Sequence, residues 1–214
     1  MNNEAAHSKR MFYNLIGIVA FMALLIIDQL TKSHAVKTLK VKDSFVLIDG
    51  VFELHYLENF GAAFGIMQGQ RTFFVIITII ILIAVFYIYG KMPLERKFNA
   101  LRVILVLIGA GALGNFIDRT RQGYVVDFFY FSLIDFPIFN VADIYVTSAA
   151  IALVVFILFY YKEKDLNLLF KSLKPGKSTV TKENTANTES KTEEKEITET
   201  VNTVSDKEND RKKK

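Results

Sequence analysis

Two aspartates in this sequence lie where an unpaired carboxylate is costly, which makes them candidates for chemistry. Asp127 lies in the run Val-Val-Asp-Phe-Phe, and Asp143 follows sixteen residues later, in the first turn of an apolar segment that continues to Tyr161. Burying a lone carboxylate at a membrane edge is unfavourable, so each needs a partner, a proton or a catalytic role. Two carboxylates that meet can share one proton and activate water, which is the chemistry of peptide hydrolysis.

Four apolar stretches are the elements that must position these aspartates. A bilayer core about 30 Å thick needs about 20 helical residues, and the second and fourth stretches meet that length plainly. The first qualifies despite Asn14, and the third extends through Leu101 if Arg102 directs its charge to the interface. A cleaved secretory signal is disfavoured for the first stretch, because Asp28-Gln29 interrupts it. The four stretches cover residues 11–27, 73–89, 103–116 and 141–161.

The segments between the spans are typical of strands. Residues 45–48 and 51–54 are apolar and flank Asp49-Gly50, a strong hairpin signal, and residues 124–131 are aromatic and β-branched. We therefore expect a membrane α+β protein with four transmembrane helices and a small extracytoplasmic β platform. Its parts are a cytoplasmic N-terminus (1–10), a membrane domain (11–161, with outer loops at about 40–60 and 120–139), and a charged cytoplasmic tail (162–214) that is expected to be disordered.

Composition excludes several classes of site. Cysteine is absent, which removes disulfides, thiolate metal ligands and cysteine nucleophiles. The three histidines, His7, His34 and His55, have no ligand spacing, so no metal and no other cofactor is expected. The net charge of +4 comes with mixed charges in the tail and does not predict nucleic-acid binding.

Charge distribution predicts the orientation of the spans. Alternation of the four spans places most flanking Lys and Arg residues on one side, which the positive-inside rule assigns to the cytoplasm together with both termini. The bias is moderate, because the first outer loop also carries lysines. Alternation also brings the unusual polar residues to the outer face, which predicts a site there. These residues are Asp28, Lys32, Asn59, Asn115, Asp118, Arg119, Asp127, Asn140 and Asp143.

Each polar residue also has a purely structural interpretation. Asn140 can cap the fourth helix with Asp143 at its third position, although capping leaves Asp127 unexplained. For Asp28 we prefer a structural ion pair with Lys32, four residues further along the helix.

Three further patterns have competing interpretations. Adjacent residues on a helix face different directions, so Asp118 and Arg119 need separate partners, and Arg119 is a candidate to bind peptide carbonyls. Asn59 and the small residues after it suit either backbone binding or an ordinary turn. Residues 109–114 match G-x-G-x-x-G, but inside a span this indicates close helix packing rather than dinucleotide binding.

These residues occur as ordered blocks that resemble the lipoprotein signal peptidases (signal peptidase II), aspartic proteases of the bacterial inner membrane. The resemblance covers roughly residues 24–161 and becomes specific because all the blocks occur in order on a four-span chain. The long charged tail departs from the family pattern. The blocks are Asp28-Gln29 with Lys32, Asn59-x-Gly61-Ala62-Ala63-Phe64, Gly114-Asn115-Phe116-Ile117-Asp118-Arg119, Val125-Val126-Asp127-Phe128 and Phe139-Asn140-Val141-Ala142-Asp143.

The resemblance implies an endopeptidase that needs no cofactor. Its substrates would be prolipoproteins cut on the N-terminal side of a diacylglyceryl-cysteine, with membrane lipids and no nucleic acid as other partners, and the enzyme is expected to be a monomer. Asp127 and Asp143 would be catalytic. Asn59 and Arg119 would hold substrate backbone, and Asn115 and Asn140 would orient groups around the dyad. Gly61 would bind substrate or support the dyad, and Asp28, Lys32 and Asp118 would be supporting residues.

Two other classes of protein fit this sequence less well. A small transporter or channel subunit would carry ionisable residues near the bilayer midplane, along a path between both faces. Here the centres of the second and fourth spans are apolar and the acids lie at one end. A noncatalytic membrane scaffold would leave the ordered blocks unexplained.

Overall fold

The computed structural model describes residues 3–42, 44–62 and 66–174. Within them, four helices are long and apolar enough to cross a membrane, as predicted. They are α1 (Asn3–Leu39), α2 (Arg71–Lys91), α3 (Asn99–Arg121) and α4 (Val141–Val155), which continues as a π-helical turn (Phe156–Tyr160).

Helix α1 extends well beyond its apolar stretch. The stretch was expected to end at residue 27, with Asp28 and Lys32 at the helix end, but α1 continues to Leu39, so both charges lie inside it. Partners on other helices balance these charges, as described below. The extension also has a packing role, because Ala35 and Leu39 are buried in a cluster with strand residues.

Three antiparallel strands form a small sheet, which confirms the predicted β structure; its location on the extracytoplasmic side stays a prediction. Strands β1 (Ser44–Ile48), β2 (Phe52–Asn59) and β3 (Val125–Tyr130) pair in that order. The expected Asp49-Gly50 lies in the β1–β2 turn, where Gly50 has a φ of 64°, a conformation that glycine adopts without steric cost. Val51 was expected to begin the second strand but belongs to the turn, because its N–H donates to the Ile48 carbonyl oxygen and Ile48 pairs with Phe52. The β2–β3 register pairs Leu57 with Asp127 and Asn59 with Val125, so the end of β2 lies beside the candidate catalytic strand.

Helix α3 lies at the centre of the helices and approaches its neighbours closely. A Cβ atom at Gly111 would lie 2.6 Å from the carbonyl oxygen of Ala142 on α4. A Cβ at Gly114 would collide with the carboxylate of Asp28 on α1. The glycines of residues 109–114 therefore permit close helix packing, which confirms that interpretation of the pattern.

A fifth helix, α5 (Glu163–Leu173), corrects the expectation that residues from Lys162 onward lack fixed structure. Its leucines pack against the buried cluster that contains Phe98 and Tyr161, and Asp165 accepts a hydrogen bond from Lys97 at 2.6 Å. The polar composition of the segment concealed this apolar stripe. Residues 175–214 lie outside the described residues, so the expectation of disorder there stays a prediction.

Candidate active site

The polar residues predicted to converge do so, where α1, α3 and α4 meet the sheet. Asp127 lies on β3 and is 1% exposed. Its Oδ2 accepts a hydrogen bond from the Asn59 side-chain amide at 2.8 Å, and its Oδ1 accepts one from the Asn140 amide at 2.6 Å. Asn59 reaches Asp127 because the strand register places the end of β2 beside β3.

Asp143 lies in the first turn of α4 and forms a capping box with Asn140. The Asp143 backbone N–H donates to Asn140 Oδ1 at 3.0 Å, and the Asn140 backbone N–H donates to Asp143 Oδ2 at 3.1 Å. The capping interpretation is therefore confirmed. It does not account for all of Asp143, because Oδ1 accepts a further hydrogen bond from the Asn115 amide at 2.8 Å.

The buried ammonium group of Lys32 contacts this network of asparagine side chains. Lys32 Nζ lies 3.1 Å from Asp28 Oδ2 and 3.0 Å from Asp118 Oδ2, and it donates to Asn115 Oδ1 at 2.8 Å. The same Asn115 oxygen accepts from the Asn140 amide at 3.2 Å. The ion pair expected between Asp28 and Lys32 is present, and it belongs to a network that reaches Asp143 through one amide.

Asp28 also joins α1 to the start of α4. Its Oδ1 accepts a hydrogen bond from the backbone N–H of Ala142 at 3.1 Å, where a carboxylate complements the positive end of the helix dipole. Gln29 was not assigned a role from the sequence, yet its amide donates to Asp28 at 3.1 Å and to Asp118 at 3.3 Å. The sequence signal that could have indicated this role of Gln29 was an amide directly after an acid within a helical, mostly apolar segment.

Arg119 finds its partner away from Asp118, as expected. Its Nη2 donates to the carbonyl oxygen of Gly61 at 3.0 Å, and its guanidinium carbon lies 4.6 Å from the centroid of the Phe74 ring. The Gly61 N–H in turn donates to Asn59 Oδ1 at 2.9 Å. Nothing in the sequence patterns indicated Phe74, because an aromatic residue at the start of a span is common.

One cavity of about 570 Å³ is lined by both aspartates and by Asn59, Asn115 and Arg119. The candidate catalytic residues lie at its polar end, and it continues along one face of α4 past Thr147, Ser148 and Ile151. In the described part of the chain, no group of three or more His, Asp or Glu side chains could hold a metal ion. The expectation that no cofactor is needed stays a prediction.

The surroundings of Asp127 favour its protonated form. Burial is the largest influence and the negative charge of Asp143 is the second, and together they raise the pKa of Asp127 to about 7. The amides of Asn59 and Asn140 act in the opposite direction, because they donate to the carboxylate, but they do not offset the other two effects. A carboxyl group that exchanges its proton near neutral pH suits acid–base chemistry.

Fold and site together define a class: a multi-pass membrane protein with two carboxylates, Asp127 and Asp143, that line one cavity. The family model for signal peptidase II matches residues 20–159. The lipoprotein signal peptidase of Staphylococcus haemolyticus (strain JCSC1435) is 42% identical over 162 residues, which are 74% of this chain and 98% of that protein. That of Streptococcus thermophilus (strain CNRZ 1066) is 43% identical over 69% of this chain and 93% of that protein.

Solved structures agree with these sequence comparisons. A bacterial membrane enzyme determined by the in meso method at 2.3 Å resolution is 41% identical, with a TM-score of 0.61 over 69% of this chain and 92% of that one. A second such structure, at 1.9 Å resolution, has a TM-score of 0.59. This chain belongs to the signal peptidase II family and is a multi-pass bacterial membrane protein.

Proposed function

We propose that this protein is an aspartic endopeptidase that removes signal peptides from diacylglyceryl-modified prolipoproteins. It cuts on the N-terminal side of the lipidated cysteine. The observation that carries the proposal is the position of Asn140, which hydrogen-bonds both Asp127 and Asp143 at one cavity. A shared amide neighbour keeps two carboxylates close enough to influence each other, as a water-activating pair requires.

The two aspartates have different roles in the proposed mechanism. Asp143 lies in the first turn of α4, where a carboxylate complements the positive end of the helix dipole, and serves as the general base. Asp127, whose pKa is raised, enters protonated and polarises the scissile carbonyl oxygen. Asp143 removes a proton from water, and the water oxygen forms a bond to the carbonyl carbon.

Collapse of the tetrahedral intermediate breaks the C–N bond. The proton that Asp143 took from water passes to the departing cysteine nitrogen, and Asp127 recovers the proton that it shared with the carbonyl oxygen. The products are a signal peptide with a carboxylic acid group and a lipidated cysteine with a free amine, and transfer of the acid proton to the amine gives a carboxylate and an ammonium group. Both carboxyl groups return to their starting states, so no other reactant is consumed.

The remaining polar residues have three different roles. Asn115, Asn140 and Asn59 each contact a dyad carboxylate and position it. Arg119 lines the cavity and uses one nitrogen on Gly61, and a guanidinium has five N–H donors in all, so it can also bind a substrate carbonyl. Lys32, Asp28 and Asp118 form a buried cluster of charges that holds Asn115 in place through Lys32.

The cavity suits a substrate that is already in the bilayer. Its apolar part follows α4, and its polar part lies where the helices meet the sheet, so an apolar signal segment can lie along the helix while the peptide bond reaches the acids. Positioning of this kind can contribute much of a rate enhancement. We place both termini in the cytoplasm and the site at the extracytoplasmic face, from the distribution of Lys and Arg. One chain carries every residue of the proposed site, so we expect a monomer.

The test is cleavage of one prolipoprotein, with and without its diacylglyceryl group, by the purified protein in detergent. We expect cleavage of the lipidated form only, and loss of cleavage in Asp127→Asn and in Asp143→Asn. Asp49→Asn, in the exposed hairpin turn, is the matched control and should remain active. Near-normal cleavage by either dyad variant would overturn the assignment of the dyad, and equal cleavage of both substrates would overturn the substrate class.

A further inference from the structure

A second cavity, of about 430 Å³, adjoins the one that holds the dyad. The two share a wall made by Asn59, Ala62, Phe136, Pro137 and Ile138, so they meet beside Asp127. The described residues that line the second cavity belong to the sheet and its connections, and none belongs to α1, α2, α3 or α4. The dyad therefore lies between an apolar channel along α4 and a chamber outside the spans.

The chamber is more polar than the channel and carries an uncompensated negative charge. Two carboxylates line it, those of Glu58 and Asp135. Lys40 neutralises Glu58, since its Nζ lies 2.8 Å from Oε1, and this hydrogen bond lowers the pKa of Glu58. Asp135 accepts a hydrogen bond from the uncharged Tyr130 hydroxyl at 2.7 Å, and within the described part of the chain no cation pairs with it.

The local backbone directs Asp135 to this position. It follows the 3₁₀ turn Ser132–Ile134 and has a φ of 48°, in the left-handed region that few residues other than glycine, asparagine and aspartate adopt readily. The chain then turns back through Phe136 and Pro137, both of which form the wall shared with the dyad cavity. Asp135 and the dyad therefore lie on the two sides of one short segment.

We propose that the chamber binds the residues that directly follow the cysteine of the prolipoprotein, and that Asp135 favours a cationic side chain there. This inference rests on the proposed function, because it assigns the second half of the same substrate. The signal segment is apolar and remains in the bilayer, whereas the chain after the cysteine continues into water. An extended peptide advances about 3.3–3.6 Å per residue, so the second and third residues after the cut reach the neighbouring chamber.

The expected preference is modest and depends on salt. Asp135 is exposed, and an ion pair in such a position changes rates by about two- to fivefold. Screening by salt should reduce the preference, since a pair in an open chamber is accessible to counterions.

The experiment compares three lipidated prolipoproteins that differ only at the two residues after the cysteine, which are lysine, serine or glutamate. We expect kcat/KM to decrease in that order at low salt and the three values to converge at high salt. Asp135→Asn should remove the preference and still fold, because asparagine adopts the same backbone region readily. Asp49→Asn has the same change of charge on the same platform, outside the chamber, and should keep the preference.

Each outcome decides one proposal. Equal cleavage of all three substrates by the unmodified protein, or a preference that survives in Asp135→Asn, overturns the role of Asp135 and leaves the proposed function standing. Failure to cleave any lipidated substrate overturns the proposed function itself. A preference for lysine that is lost only in Asp135→Asn supports the proposed role of the chamber.

Discussion

The side-chain amide of Asn140 lies 2.6 Å from Asp127 Oδ1, while the backbone N–H of Asn140 donates to Asp143. One fully buried residue thus contacts both candidate catalytic acids and also caps the helix that carries the second. The cap uses the side-chain oxygen and the backbone N–H of Asn140, and the contact with Asp127 uses its side-chain nitrogen. Variants of Asn140 can separate the two roles.

The Asn140→Ala variant should lose both the helix cap and the hydrogen bond to Asp127, whereas Asn140→Ser should lose only the hydrogen bond. Alanine removes the cap, at a cost of about 1 kcal/mol of stability, and the donor to Asp127. Serine still offers an oxygen to the Asp143 N–H but has no amide for Asp127, so stability should recover. Activity should fall about 100-fold in both, as expected when a reacting group is misplaced. Thermal unfolding and single-turnover cleavage measure the two effects, and recovery of activity in the serine variant would contradict the positioning role.

Cleavage should depend on pH through the raised pKa of Asp127. The mechanism needs this carboxyl protonated, so kcat/KM should fall as the pH rises through about 7. The folded protein holds the proton more tightly than the unfolded chain, whose ordinary value is 3.8, so Asp127 stabilises the fold most at low pH and this contribution is lost as the pH rises to about 7.

Unfolding measured against pH checks the same group without using catalysis. Asp127→Asn should remove the part of the pH dependence of stability that lies between about pH 4 and 7. Constant activity up to pH 9, or an unchanged stability profile in the variant, would show that Asp127 does not titrate in this range.

Lys32→Met should destabilise the protein strongly. It leaves Asp28 and Asp118 buried without their cation, and breaking a buried ion pair in this way costs about 3–5 kcal/mol. Lys40→Met is the matched control, because Lys40 pairs with Glu58 at an exposed position and its loss should have a far smaller effect. Thermal unfolding in one detergent compares the two, and equal melting temperatures would contradict the buried network.

Gly114→Ala should disrupt the contact between α1 and α3. The added Cβ would collide with the Asp28 carboxylate, which is held by Lys32, Gln29 and a backbone N–H, so overpacking should cost about 1–3 kcal/mol. Gly90→Ala on α2 is the control, because its Cβ would have no neighbour within 4 Å and alanine suits a helix better. Yield and unfolding temperature in detergent report both effects, and a neutral Gly114→Ala would contradict the close approach.

Local signals were sufficient for much of the fold. The Asp49-Gly50 hairpin followed from turn chemistry, and the meeting of Asp127 with Asn140 and Asp143 followed from span alternation. The length of α1 could not be predicted from local signals, because residues 28–39 resemble a polar loop until their tertiary partners are known. The contacts of Gln29 and Phe74 with the site likewise depend on which faces of α1, α2 and α3 meet.

Helix α5 is a different case, since its signal was present in the sequence. Leu166, Leu169 and Leu173 recur at helical spacing within a segment that is polar on average. The tail as a whole is polar, so these leucines did not stand out among its charged residues. The apolar spacing is confined to residues 163–173 and ends before the polar residues that follow.

The four-residue spacing of Asp28 and Lys32 affects how the nascent chain enters the membrane. Both lie on α1, one helical turn apart, whereas Asp118, Asn115 and the Ala142 N–H belong to α3 and α4, which are synthesised after α1. During that interval the two charges can neutralise each other within a single nascent helix, which lowers the barrier to its entry into lipid. The later spans then add Asp118, Asn115 and the Ala142 N–H to a pair that the folded protein keeps.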